Sequence, residues 1–316
     1  MTHSDETLAK IHPELREFAA QFIPDLQLNA DTLEAFRAGF GDIPLPESQA
    51  VYRQSVPRDD GQPDVPVLVI NAKAGVRRPG ILHMHGGGFV LGAASASLSR
   101  VLPITLELDV TIVSVDYRLA PEARYADSIA DNYAALEWML ANATELGIAP
   151  DRIAVMGDSA GGGHAALTAI EARNRGDIDI AFQALIYPML DDRTGSTTMP
   201  PEPAGQVLWG PTANQFGWRS FLGSEPGQAD TPERAVPARI GNLEGLPPTF
   251  LTVGELDLFF AEGQQFAQRL SAANVPTEFL AIAGAFHGFD MVEGAAPTLK
   301  FKAALLSALR RGLGLE

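Results

Sequence analysis

The sequence predicts an α/β fold: a mostly parallel central sheet flanked by helices, with a helical cap. Three observations predict it. Several short segments are almost continuously apolar and β-branched, VTIVSVDY above all, as expected of strands buried on both faces. They alternate with stretches of helical periodicity, and strand–helix alternation leads to a parallel sheet covered on both sides. One interval, residues 190–240, breaks the alternation. It is rich in Pro, Gly and polar residues and holds Trp209 and Trp218. A loop of that length inside a compact domain is usually functional, which suggests an inserted cap or lid.

The elements follow in order. Within residues 1–50, Leu8, Ile11, Leu15, Phe18 and Phe22 recur at three- and four-residue steps and mark one apolar helix face. Leu33, Phe36 and Phe40 mark a second short helix, and GDIPLPES then breaks the pattern. VYRQSV and VPVLVINA read as strands, the second preceded by a Gly-Gln-Pro turn signal. GILHMH is a short apolar strand ending in a run of glycines. Residues 127–146 read as a helix that Asp127 can cap and Gly147 ends, with Ile129, Tyr133, Leu136 and Leu140 on one face. RIAVMGDS is a strand running into a turn, and Ala160 to Arg173 is helical. IAFQALIYP, PPTFLTVGE and TEFLAIAG are further strands. Helices around Phe266 and Leu270, and through Leu306, Leu309 and Leu313, complete the chain. The core is therefore expected from residues 51–189 and 241–316, with 190–240 inserted between them.

Bulk composition narrows the function. The 316 residues suffice for one large domain with an insertion, or for two domains. With 39 acidic against 23 basic residues the net charge is −16, which disfavours nucleic acid and anionic membranes as partners. The absence of cysteine excludes disulfides, thiolate catalysis and Cys-ligated metal sites. The opening MTHSDETLAKIHPE has neither the basic nor the apolar segment of a secretory signal, and no apolar run is long enough to span a bilayer. The expectation is a cytoplasmic protein.

Two motifs carry chemistry. Gly157-Asp158-Ser159-Ala160-Gly161 is a G-x-S-x-G that follows an apolar strand and opens a helix, the context of a nucleophile elbow. Such a turn lifts the serine hydroxyl above the sheet, at the positive end of the helix. His85-Gly86-Gly87-Gly88 follows the strand GILHM. Successive glycines let backbone N–H groups turn inward and approach a ligand, where they can stabilise the oxyanion of a tetrahedral intermediate.

A serine nucleophile needs a base, and a G-x-S-x-G elbow expects its acid and then its histidine further along the chain. Apart from His164, five residues on in the nucleophile helix, the one later histidine is His287, in GAFHGF after a strand. The acid belongs in GELDLFF, where Asp257 and Glu255 compete. Of the other histidines, His3 and His12 are expected to face solvent, His83 to pack near the sheet, and His85 to brace the glycine loop. Phe18, Phe22, Phe36, Phe40, Phe89, Trp209, Trp218 and Phe221 are candidates for an apolar pocket wall, with ordinary packing as the competing role for each.

HGGGF, DYRLAPE (116–122), GDSAGG (157–162) and HGF (287–289) occur in that order. Together with LIYPMLDDR and GLPPTFLTVGELDLF, they make roughly residues 50–316 resemble the hormone-sensitive-lipase-like bacterial carboxylesterases, the GDSAG group of the α/β-hydrolase fold. The resemblance implies a triad of Ser159, Asp257 and His287. It implies Gly87, Gly88 and Ala160 as oxyanion donors, supported by His85, Gly86 and Asp158. It also implies a cap built from residues 1–50 and 190–240, short-chain acyl esters as substrates, no metal or organic cofactor, and a homodimer as a candidate assembly. The sequence departs from the family pattern at Leu258, where many relatives have proline, at Phe259-Phe260-Ala261 before Glu262, and at Gly163-His164 after GDSAGG. An amidase or arylformamidase on the same scaffold, or a non-catalytic binding protein, are the alternatives. The presence of His287 argues against the last.

Overall fold

A computed structural model describes residues 3–23, 26–46, 50–58 and 61–315, with the side chains of His3 and Ser4 outside that set. The expectation that His3 faces solvent, and residues 47 and 48 of the Pro-bearing break, therefore lie outside the described residues. Eight strands form one sheet: β1 (Val51–Val56), β2 (Val65–Ile70), β3 (Arg78–Met84), β4 (Thr111–Val115), β5 (Ile148–Asp158), β6 (Phe182–Ile186), β7 (Thr249–Gly254) and β8 (Thr277–Ile282). Their spatial order is β1-β2-β4-β3-β5-β6-β7-β8. β2 runs antiparallel to both β1 and β4, and the other neighbours are parallel. The central strands β3, β4, β6 and β7 are buried along their whole length, which explains why they carry apolar runs rather than alternation.

The helix expected at 127–146 spans Tyr125–Ala141 and continues as a short turn Ala143–Leu146. Asp127 caps this helix from inside a capping box whose N-cap position is Arg124. It stands at the third helical position, and its carboxylate accepts the N–H of Arg124 at 2.9 Å. Gly147 ends the helical stretch in the left-handed conformation.

Three expectations need correction. The apolar face of residues 8–22 is not one helix. His3–Lys10 stops short of Pro13, and the chain resumes as 3-10 and α turns through Phe22. Proline has no N–H to continue the ladder, and the His12 N–H is donated instead to the Gly284 carbonyl at 2.9 Å. His12 is half-buried rather than solvent-facing. Finally, residues 190–240 are not all loop, since Pro211–Leu222 is a helix. A further helix, Leu98–Leu108 with Pro103 inside it, is not anticipated by the periodicity.

Residues 190–240 are tied to their surroundings near both ends. Glu262 accepts the N–H groups of Leu190 (2.7 Å) and Asp191 (3.3 Å). Buried Asp192 takes two hydrogen bonds from Arg239, at 2.7 and 2.9 Å, which draws the two ends of the excursion together. The N-terminal segment joins it by backbone bonds from Leu26 N–H to Leu208 O (2.9 Å) and from Leu208 N–H to Phe22 O (3.3 Å). No helix among the described residues is long and apolar enough to cross a membrane.

Candidate active site

The parallel strands deliver the predicted residues to one end of the sheet, the carboxyl end where open α/β sheets bind ligands. Ser159 follows β5 at the centre, Asp257 follows β7, and His287 follows the edge strand β8. Ser159 has φ +55° and ψ −121°, the strained conformation of a sharp strand-to-helix elbow. The turn closes tightly enough that a Cβ on Gly161 would lie 2.1 Å from the Met84 carbonyl oxygen. This is why the position demands glycine.

The structure links three of these residues in one hydrogen-bond chain. Asp257 Oδ2 lies 2.9 Å from His287 Nδ1, and His287 Nε2 lies 3.0 Å from Ser159 Oγ. A carboxylate can only accept, so Nδ1 carries the proton and Nε2 is left to accept the serine hydroxyl. Asp257 is fully buried, and its second oxygen accepts the Phe259 N–H at 2.9 Å. Phe259 and Tyr187 set their rings edge-on to the imidazole, with centroids 5.1 and 4.9 Å away. Glu255 is exposed and makes no part of this chain.

The glycine loop after β3 faces Ser159. Gly88 has φ +59°, and a Cβ there would lie 2.2 Å from the Trp209 ring, so backbone and indole are in direct contact. The N–H groups of Gly87, Gly88 and Ala160 donate to no protein acceptor among the described residues. His85 is held against the loop by three contacts. Its Nδ1 donates to the Gly86 carbonyl at 2.7 Å, its own carbonyl accepts the Tyr117 hydroxyl at 2.7 Å, and the two rings stack.

Asp158 packs against Gly86, where an added Cβ would lie 2.5 Å from its Oδ2. Burial opposes its ionisation, but Arg100 at 2.6 Å and the neighbouring His83 outweigh that and hold the carboxyl well below the usual range. Sequence reasoning missed Arg100, as well as Tyr187 and Asp290, which stand with it around the site.

A cavity of about 420 Å³ opens onto Ser159 and His287. Of the eight aromatic candidates, Phe40 and Trp209 line it. Phe89, Trp218 and Phe221 are buried against one another instead, and Phe18 stacks on Phe286. Leu26, Leu91, Leu208 and Met291 add apolar lining, and Arg100, Asp158, Asp290, Glu293 and Lys302 add charged groups.

His164 has neither ring nitrogen bonded to protein and sits among Phe89, Tyr117 and Phe221. Burial, and secondarily the nearby His85, push its pKa down to about 3 from an ordinary 6.5. The unfolded chain therefore binds a proton that the folded chain refuses. Stability is fully present above pH 6.5 and is lost progressively as pH falls toward 3. His164→Leu should accordingly lose less melting temperature between pH 7 and pH 4.5 than the parent. Equal losses in the two proteins would contradict the burial argument.

Comparison with known proteins places the fold in a family. Residues 81–291 match the profile of an alpha/beta hydrolase fold family. The carboxylesterase NlhH of Mycobacterium tuberculosis is 34% identical, with 99% of each chain covered. The esterase LipI of the same organism is 35% identical over 74% of this chain and 71% of its own. Among solved structures, a bacterial heroin esterase superposes with a TM-score of 0.85 at 37% identity, covering 97% of this chain and 99% of that one. The chain belongs to the α/β-hydrolase fold family, among its carboxylic ester hydrolases.

Proposed function

We propose that the protein hydrolyses short-chain carboxylic esters with Ser159 as nucleophile, His287 as general base and Asp257 as the acid that orients it. The hydrogen-bond chain from Asp257 through His287 to Ser159 carries this reading. His287 takes the hydroxyl proton as Oγ attacks the carbonyl carbon, and Asp257 stabilises the imidazolium that forms. The N–H groups of Gly87, Gly88 and Ala160 receive the oxyanion. His287 then returns the proton to the departing alcohol, and water repeats the steps on the acyl-enzyme.

The cavity supports a small acyl group, with Trp209 packed on Gly88 as one wall. Residues 1–50 and 190–240 form the cap in this reading, which the backbone bonds joining Leu26, Phe22 and Leu208 support. A fluorophosphonate probe should label the peptide that contains Ser159. p-Nitrophenyl acetate and butyrate should turn over faster than the decanoate, and faster than the corresponding anilides. Labelling at another residue, or preferred turnover of anilides, would overturn the assignment.

A further inference from the structure

We propose that Arg100 is a positioning residue for this reaction, clamping the nucleophile elbow to the histidine loop through Asp158 and Asp290. The inference rests on the triad reading above. Arg100 stands in the first turn of the helix Leu98–Leu108, on an element that carries none of the proposed catalytic groups. Its Nε donates to Asp290 Oδ2 at 3.1 Å, its Nη2 pairs with the same oxygen at 2.9 Å, and its Nη1 pairs with Asp158 Oδ2 at 2.6 Å. Asp158 immediately precedes Ser159. Asp290 lies three residues after His287 in the 3-10 turn Phe289–Met291.

The chain of contacts then returns to the base. Asp290 Oδ1 accepts the Tyr187 hydroxyl at 2.8 Å, and the Tyr187 ring stands edge-on to the His287 imidazole. Burial holds the Tyr187 phenol well above its ordinary pKa, so it stays a donor. The direct Ser159–His287 hydrogen bond is thus paralleled by a second route: elbow, Asp158, Arg100, Asp290, Tyr187, imidazole. Neither carboxylate is free to move alone, because both are buried and share one cation.

Arg100 also lines the substrate cavity, which raises the competing role of a substrate contact. Its side chain is only 22% exposed, and each of its three nitrogens already faces a carboxylate oxygen. Its charge is thereby balanced by the two carboxylates, which leaves a ligand two N–H donors but no net positive charge. What it supplies is geometry and charge balance. Without it, two buried carboxylates would face each other across the gap between the elbow and the histidine loop, and their repulsion would open the Ser159–His287 distance. Displacement of catalytic groups on the order of 1 Å can cost about a hundredfold in rate.

The test combines Arg100→Met, Arg100→Lys and the double variant Arg100→Met/Asp290→Asn, measured on p-nitrophenyl butyrate and with a fluorophosphonate. Arg100→Met should lower kcat by about ten- to a hundredfold, with KM within about threefold of the parent. Fluorophosphonate labelling should slow in proportion. Arg100→Lys, which keeps the charge but not the fork, should fall between. The double variant should recover part of the lost kcat, because it removes one of the opposed charges. A rise in KM with kcat unchanged would make Arg100 a substrate contact and overturn the proposal. So would a parental kcat in Arg100→Met, or a double variant no better than the single one. Should Arg100→Met not fold, parental kcat in Arg100→Lys together with parental labelling would overturn it equally. Labelling that persists in Ser159→Ala would refute the triad reading itself, whereas labelling lost there but unslowed in Arg100→Met would refute the clamp alone.

Discussion

Replacing Ser159 with alanine should lower kcat/KM for a p-nitrophenyl ester by about 10⁴- to 10⁶-fold while leaving the melting temperature nearly unchanged. The substitution deletes one atom, Oγ, whose hydrogen bond goes to His287. Alanine keeps the Cβ and tolerates the positive φ of the elbow no better and no worse than serine, so the strain is the same before and after. What remains is an oxyanion pocket and a base with no nucleophile to activate. Residual turnover from binding and the oxyanion donors alone is expected. A variant that kept more than about a hundredth of parental activity would show that another group attacks the ester.

Asp257→Asn should be nearly as damaging, with kcat down by about 10³- to 10⁴-fold. An asparagine amide can donate where the carboxylate can only accept. Donation to His287 Nδ1 would move the ring proton to Nε2, which then points a hydrogen at the serine oxygen it should deprotonate. The loss would come from the wrong tautomer rather than from a disturbed fold. Glu255→Gln provides the control two residues away. That side chain is exposed and outside the hydrogen-bond chain, so its activity should stay within about twofold of the parent. Should Glu255→Gln prove the more damaging of the two, the choice of Asp257 would be wrong.

Much of this site is legible in the sequence because its chemistry is written into local pattern. The elbow reads as strand, glycine-flanked serine, then helix, since only that backbone path brings Gly161 against the Met84 carbonyl. The buried parallel strands read as apolar runs because helices and loops cover both faces. What stays hidden depends on distant pairings. Arg100 lies 58 residues before Asp158 and 190 before Asp290, and a lone arginine in a stretch such as ASASLSRV gives no sign of either partner. The helix Pro211–Leu222 had a signal that the loop-like composition masked. Pro211 stands at its first turn and Gly223 ends it in the left-handed conformation, the usual proline-first, glycine-last asymmetry. The break in the N-terminal helix had one too, at Pro13, where apolar spacing alone suggested continuity. Trp218 and Phe221 were open to either role because an aromatic that lines a cavity and one that fills a core look alike in one dimension.

The order of the strands has a consequence for durability. The proposed nucleophile follows β5 in the middle of the sheet, but its proposed base is mounted just beyond β8, an edge strand whose side chains are mostly only half covered. Sheets fray from their margins, and opening free energies are lowest where backbone is paired on one side only. A modest loosening of β8 would carry His287 away from Ser159 while the remaining seven strands stayed closed. Reinforcing that border strand is therefore expected to prolong working life under heat more than thickening the interior would.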